Sequence, residues 1–158
     1  MTGWAPLLAA TVLLASCQRP PPPARSHYVA GEAWQAQGVW HYTQDSLDFS
    51  QTSIATVYRS PPPLTTDGEA YDPTALTGAL QTLALPAVAA VTNLDSGRQL
   101  TLRINDRGPS DPGRIIAVTP RVAALLGFGA EGVARVRVDI LVAESRAAAE
   151  ALPGGGWM

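Results

Sequence analysis

The chain has 158 residues, a formal net charge of −2 and 15% charged residues. One domain of ordinary size with flanking segments is expected, and nothing in the charge would draw it to nucleic acid. All 11 basic residues are arginine, which a GC-rich genome explains as readily as the planar fork Arg offers to carboxylates and ring faces. A single cysteine, Cys17, excludes an intramolecular disulfide. With His27 and His41 the only histidines, no zinc spacing exists and neither metal nor cofactor is expected.

The apolar run from Ala5 to Ala15 is too short for a membrane-spanning helix, which needs about 20 residues, and has the length of a signal-peptide core. It ends in Leu14-Ala15-Ser16-Cys17, which resembles the bacterial lipobox. Residues 1–16 are therefore expected to be a lipoprotein signal peptide, with Cys17 lipidated as the mature N-terminus. The alternative, a free thiol on a short buried helix, is opposed by the prolines that follow. Gln18, rather than Asp, after the cysteine resembles outer-membrane sorting. The expectation is an outer-membrane lipoprotein facing the periplasm.

Residues 17–52 read as a linker followed by an aromatic segment. RPPPPARS, Arg19 to Ser26, forms neither helix nor central strand and is expected to be a polyproline-like spacer. Tyr28, Trp34, Trp40 and Tyr42 follow among few aliphatics. They suit either stacking on sugar rings or draping over the outside of a domain, the latter preferred, with His27 and His41 at the surface. Linker and aromatic segment together run about 34 residues, with a fully extended reach of about 110 Å.

The domain is placed at 53–143. SIATVY (53–58) is a strand by its β-branched content, and the next 15 residues are a loop with Asp67-Gly68 as a tight turn. PTALTGAL (73–80) has Pro73 at a helix N1 position and reads as a short helix. AVAAVTNL (87–94) is a strand, DSGR a hairpin turn, and QLTLRIND (99–106) a strand with Leu100, Leu102 and Ile104 on one face. GRIIAVT is another strand, and TPRVAALLGF a helix capped by Thr119, opened by Pro120 and closed near Gly127. GVARVRVDILVA is a long strand, with Val133, Arg135 and Arg137 alternating against Ala134, Val136 and Val138. The tail, 144–158, begins helical and frays at Pro153–Gly156. The fold class is mainly β: five or six short strands with two short helices, a small closed barrel.

Between Thr52 and Ile140 the segments DGEAYD, VTNLDSGR and NDRGP…GRII occur in order with short gaps. This resembles the rare lipoprotein A (RlpA) family, without the SPOR domain that often follows it. The resemblance implies a six-stranded double-psi β-barrel and an endolytic peptidoglycan lytic transglycosylase, preferring glycan strands stripped of stem peptides. It further implies work in cell wall organisation and cell separation, with glycan strands as partner, divisome proteins as further partners and a membrane anchor through Cys17.

Cleavage of the bond between N-acetylmuramic acid and N-acetylglucosamine without water needs an acid for the leaving oxygen, then a base for the muramoyl C6 hydroxyl. One carboxyl group can do both in turn. Asp106, ending a strand before Gly108-Pro109, is the candidate, with a turn role as its alternative. To hold a proton it needs burial or a neighbouring carboxylate, and Glu69 matches the second family acid. Arg107 is expected to point away from Asp106. Asn105, Arg107, Tyr71 and Asp72 are candidates for substrate binding, Asn105 equally for a strand-end hydrogen bond. Asp67 and Asp72 also suit turn and cap roles. The chain departs from the family where TGALQTLALP replaces a sequence like TAAHKTLP: the family His is Leu80, and a common acid after GRII is Ala117. The alternative function is therefore a non-catalytic peptidoglycan-binding barrel.

Overall fold

The computed structural model describes residues 20, 22–43, 47–129 and 132–155. The signal-peptide and Cys17 expectations lie outside them. A small hairpin of β1 (Trp34–Ala36) and β2 (Val39–His41) precedes six longer strands: β3 (Ser50–Val57), β4 (Thr77–Leu80), β5 (Ala87–Asn93), β6 (Gln99–Asp106), β7 (Arg114–Val118) and β8 (Val133–Ile140). Two helices complete the chain, α1 (Pro120–Leu126) and α2 (Val142–Glu150).

The six strands close into a barrel in the order β3-β7-β4-β6-β5-β8. The pairs β3/β7 and β4/β6 are parallel and the others antiparallel. Alternation builds the core: in β8, Val133, Arg135 and Arg137 face solvent while Ala134, Val136 and Val138 are buried. Leu102, Ile104, Ile116 and Leu83 meet them inside. The β5–β6 turn follows from Asn93, whose Oδ1 accepts from Asp95 N–H at 2.9 Å. Its amide donates to Leu126 O at 2.9 Å, so the same residue satisfies an end carbonyl of α1. At the other end of α1, Thr119 Oγ1 accepts from Val122 N–H at 3.4 Å.

The expected helix over 73–80 is not formed. Residues 73–76 turn, and 77–80 form β4. Gly78 explains part of this: a Cβ there would lie 2.9 Å from Ala117 O, so the strand enters a slot only glycine fits. The tail supplies the second helix instead. α2 is clamped to β5 by Ser145, whose Oγ accepts from Val88 N–H at 2.8 Å and donates to Val88 O at 3.2 Å.

Residues 25–29 lie as a strap on the barrel. Arg25 N–H donates to Gly68 O at 2.9 Å, His27 N–H to Asp67 O at 2.8 Å and Tyr28 N–H to Pro153 O at 3.1 Å. Val29 and Leu85 exchange backbone bonds of 2.8 and 3.0 Å. Gly68 makes this possible: φ is +84°, and a Cβ would sit 2.2 Å from Arg25 O.

Candidate active site

β6 carries two sets of functional side chains because successive residues face opposite ways. Arg103 and Asn105 turn to Glu69: Arg103 Nε donates to Glu69 Oε1 at 2.8 Å, and Asn105 Nδ2 to Oε2 at 2.7 Å. Arg103 Nη2 adds an ion-pair contact of 2.6 Å. Asp106, the last residue of β6, turns instead toward the loop 64–70 and the end of β3. Its Oδ1 accepts from Thr66 N–H at 2.9 Å, Thr66 Oγ1 at 2.6 Å and Arg107 N–H at 2.9 Å. Among the described residues its Oδ2 has only the Tyr58 hydroxyl, at 3.4 Å. Burial holds the Tyr58 phenol well above its usual range, and the Asp106 charge and hydrogen bond add to this, so Tyr58 remains a donor.

Asp106 is 5% exposed and lines a cleft of about 370 Å³. Val57 and Tyr58 at the end of β3, the prolines Pro61 and Pro62, and Trp34 of the hairpin line it too. The size suits a small part of a polymeric ligand, and its walls mix apolar surface with polar residues such as Thr56, Arg59, Ser60, Ser110 and Asp111.

Arg107 lines the same cleft. Its guanidinium donates to Leu83 O; the divergence from Asp106 expected of adjacent strand residues does not take it out of the cleft that both line. Burial pulls it down to about 10, against the upward pull of the Asp106 charge, so it is a cation at neutral pH. Its Nη2 is buried without a partner, an orphaned donor on a cleft-lining side chain.

The other expected site residues fall elsewhere. Glu69, Tyr71, Asp72 and Asn105 do not line the cleft. Asn105 is 2% exposed; its amide nitrogen is engaged by Glu69, and its Oδ1 is buried without a partner. Glu69 is neutralised by Arg103 rather than set against Asp106. Tyr71 packs edge-on against Tyr58 at 5.3 Å between centroids. Asp72 caps a turn, accepting from Thr74 N–H and Oγ1 at 2.8 and 2.7 Å; these bonds hold its carboxyl below the usual range. Asp67 is fully buried in the loop beside Thr66, with Oδ1 accepting from Thr65 Oγ1 at 2.7 Å. Burial pushes it up to about 6, countered by the Thr65 bond and reinforced by the Glu69 charge.

Leu80 is 1% exposed and packs in the hydrophobic core; its neighbour Ala79 and the cross-strand Ala117 line the cleft. Thr66 and Tyr58, the direct partners of Asp106, were not singled out in the sequence. Thr66 sits one residue before the Asp67-Gly68 turn and is legible as a loop hydroxyl. Tyr58 carries no local signal, because nothing in SIATVY tells that the end of β3 meets the end of β6. Among the described residues no cluster of His, Cys, Asp and Glu could hold a metal ion.

A protein family described as lytic transglycolase matches residues 50–138. Named relatives include the endolytic peptidoglycan transglycosylase RlpA of Escherichia coli (strain K12), 40% identical over 73% of this chain and 32% of its own. The RlpA of Neisseria meningitidis (serogroup A) is 37% identical over 75% and 48%, and that of Rickettsia bellii 31% over 77% and 56%. The chain thus spans between about a third and just over half of these three relatives. Among solved structures, Streptomyces papain inhibitor superposes with a TM-score of 0.51 at 16% identity, over 62% of this chain and 99% of its own, which speaks for the fold alone. The closed six-stranded barrel, the match over 50–138 and relatives at 31 to 40% identity agree: the chain belongs to the RlpA family of double-psi β-barrels.

Proposed function

We propose that this protein is an endolytic peptidoglycan lytic transglycosylase, which cuts glycan strands between N-acetylmuramic acid and N-acetylglucosamine and leaves 1,6-anhydro ends. The observation that carries this reading is Asp106, buried, at the end of a strand and lining a cleft. Its two oxygens are unlike. Oδ1 is saturated by three donors, whereas Oδ2 has one long contact. Oδ2 is the atom free to carry a proton to the glycosidic oxygen.

As the C1–O4 bond breaks, that proton passes to the leaving sugar. The muramoyl C6 oxygen then bonds to C1 and gives its proton back to Oδ2, so the carboxyl ends as it began and no water is consumed. Thr66 fixes the carboxyl orientation through both the backbone and the hydroxyl. Glu69 works at a distance: by tying Arg103 and Asn105 to the loop that carries Thr66, it holds that loop in place. Arg107, which lines the cleft together with a second arginine, Arg59, suits the lactyl carboxylate that a muramoyl residue exposes once its stem peptide is gone, and this would favour stripped strands. Cell wall organisation and cell separation are the processes such cuts serve.

A second reading, a glycan-binding barrel that does not cut, draws on the apolar residues at Ala79 and Ala117 and on Glu69 lying outside the cleft. The two separate on incubation with peptide-free glycan strands. Mass spectrometry should detect 1,6-anhydro ends from the parent protein and a loss of at least about a hundredfold with Asp106→Asn. Retained glycan binding with no anhydro product from the parent would establish the second reading.

A further inference from the structure

The β1–β2 hairpin lies outside residues 50–138 shared with the family, and yet it supplies cleft wall through Trp34 and Ala36. Trp34 is held firmly. Its Nε1–H donates to Gln81 O at 2.8 Å, and its ring stacks on His41, its cross-strand partner, with centroids 4.4 Å apart and planes at 19°. Gln81 in turn donates through Nε2 to Pro109 O at 2.5 Å and Arg114 O at 3.2 Å. These carbonyls flank the loop that follows Asp106. Gln81 thus ties the indole, through its backbone carbonyl, to the loop after the acid, which its side-chain amide holds.

An aromatic ring fixed in this way presents its remaining surface at little entropic cost. The indole N–H is already satisfied, so what it offers the cleft is apolar. A β-1,4-linked pyranose has the matching form: C–H groups on its faces and hydroxyls around its rim. We propose that Trp34 is a sugar-stacking platform, a subsite for the pyranose next to the one whose bond faces Asp106. The inference rests on the glycan-strand reading above and deepens it by adding a binding element the barrel alone does not possess. Trp40 is the natural control, since it pairs opposite Gln35 on the other face of the hairpin and is 55% exposed.

The test measures binding of peptide-free glycan strands to the Asp106→Asn protein, so that cleavage does not intervene. Within it Trp34→Phe keeps a ring, Trp34→Leu fills space without one, and Trp40→Ala probes the outer face. Near-ultraviolet circular dichroism and melting temperature confirm that each variant is folded. Trp34→Leu should weaken binding by about tenfold, the order expected for one lost aromatic contact, and Trp34→Phe by about threefold or less. Trp40→Ala should leave it unchanged. Equal binding by the Leu, Phe and parent proteins would overturn the platform while leaving the glycan reading intact. If the parent binds no glycan, both fall together.

Discussion

At the scale of single residues, two groups make distinct demands on experiment. Arg107 is charged, lines the cleft and has one guanidinium nitrogen without a partner. Arg107→Gln keeps a donor for Leu83 O and removes the charge. With peptide-free strands it should raise KM about tenfold with kcat changed less than threefold, and it should narrow the preference over peptide-bearing strands. Asp67 is the opposite case, a carboxyl whose ionisation the fold resists. Its value rises from 3.8 to about 6 on folding. The stability linked to its neutral form is therefore complete below about 4 and lost as pH rises through about 6. Asp67→Asn retains the acceptor for Thr65 and removes the titration. The variant should gain stability relative to the parent between pH 4 and pH 7.5, by about 3 kcal/mol at most, as read from denaturant unfolding at both values.

At the scale of elements, loop 64–70 is the piece on which the site depends. It carries Thr66 to Asp106, buries Asp67, presents Glu69 to β6 and receives the strap at Gly68. Gly68→Ala should cost at least about 2 kcal/mol, because the φ is left-handed and the new methyl meets a backbone oxygen. Hydrogen exchange at Val29 and Leu85 should speed up ahead of exchange in β5 and β6, showing that the strap is released first. Elements whose signals are local were legible in the sequence. The β5–β6 hairpin was marked by DSGR and by alternation; α1 was marked by Thr119, Pro120 and Gly127. The segment 73–80 was not, because its Ala and Leu content favours a helix while its place between β6 and β7 demands a strand. The same limit applied to the site. Asp106 was found because it ends a recognisable strand before a turn. Thr66 and Tyr58 were not, because their proximity to it depends on long-range closure of the barrel. Period two had already implied that Asn105 and Asp106 diverge, so the separation of Asn105 from the cleft was available in the strand itself.

At the scale of the whole molecule, the strap determines how the domain relates to whatever holds its N-terminus. We propose that Cys17 is lipidated and anchors the protein in the outer membrane, on the periplasmic side. Cys17→Ala should then move the protein from the membrane to the soluble periplasmic fraction while cleavage of isolated strands by the folded domain is unchanged. Fully extended, the linker and aromatic segment would reach about 110 Å, an upper limit on any tether. The structure shortens that limit: backbone bonds hold the chain on the barrel from Arg25 onward. Between Cys17 and Arg25 lie eight peptide steps, a leash of about 28 Å at full stretch. On the proposed anchor and glycan-cutting activity, such a leash would confine cleavage to a thin shell of wall next to the membrane, leaving deeper strands out of reach whatever the affinity of the cleft.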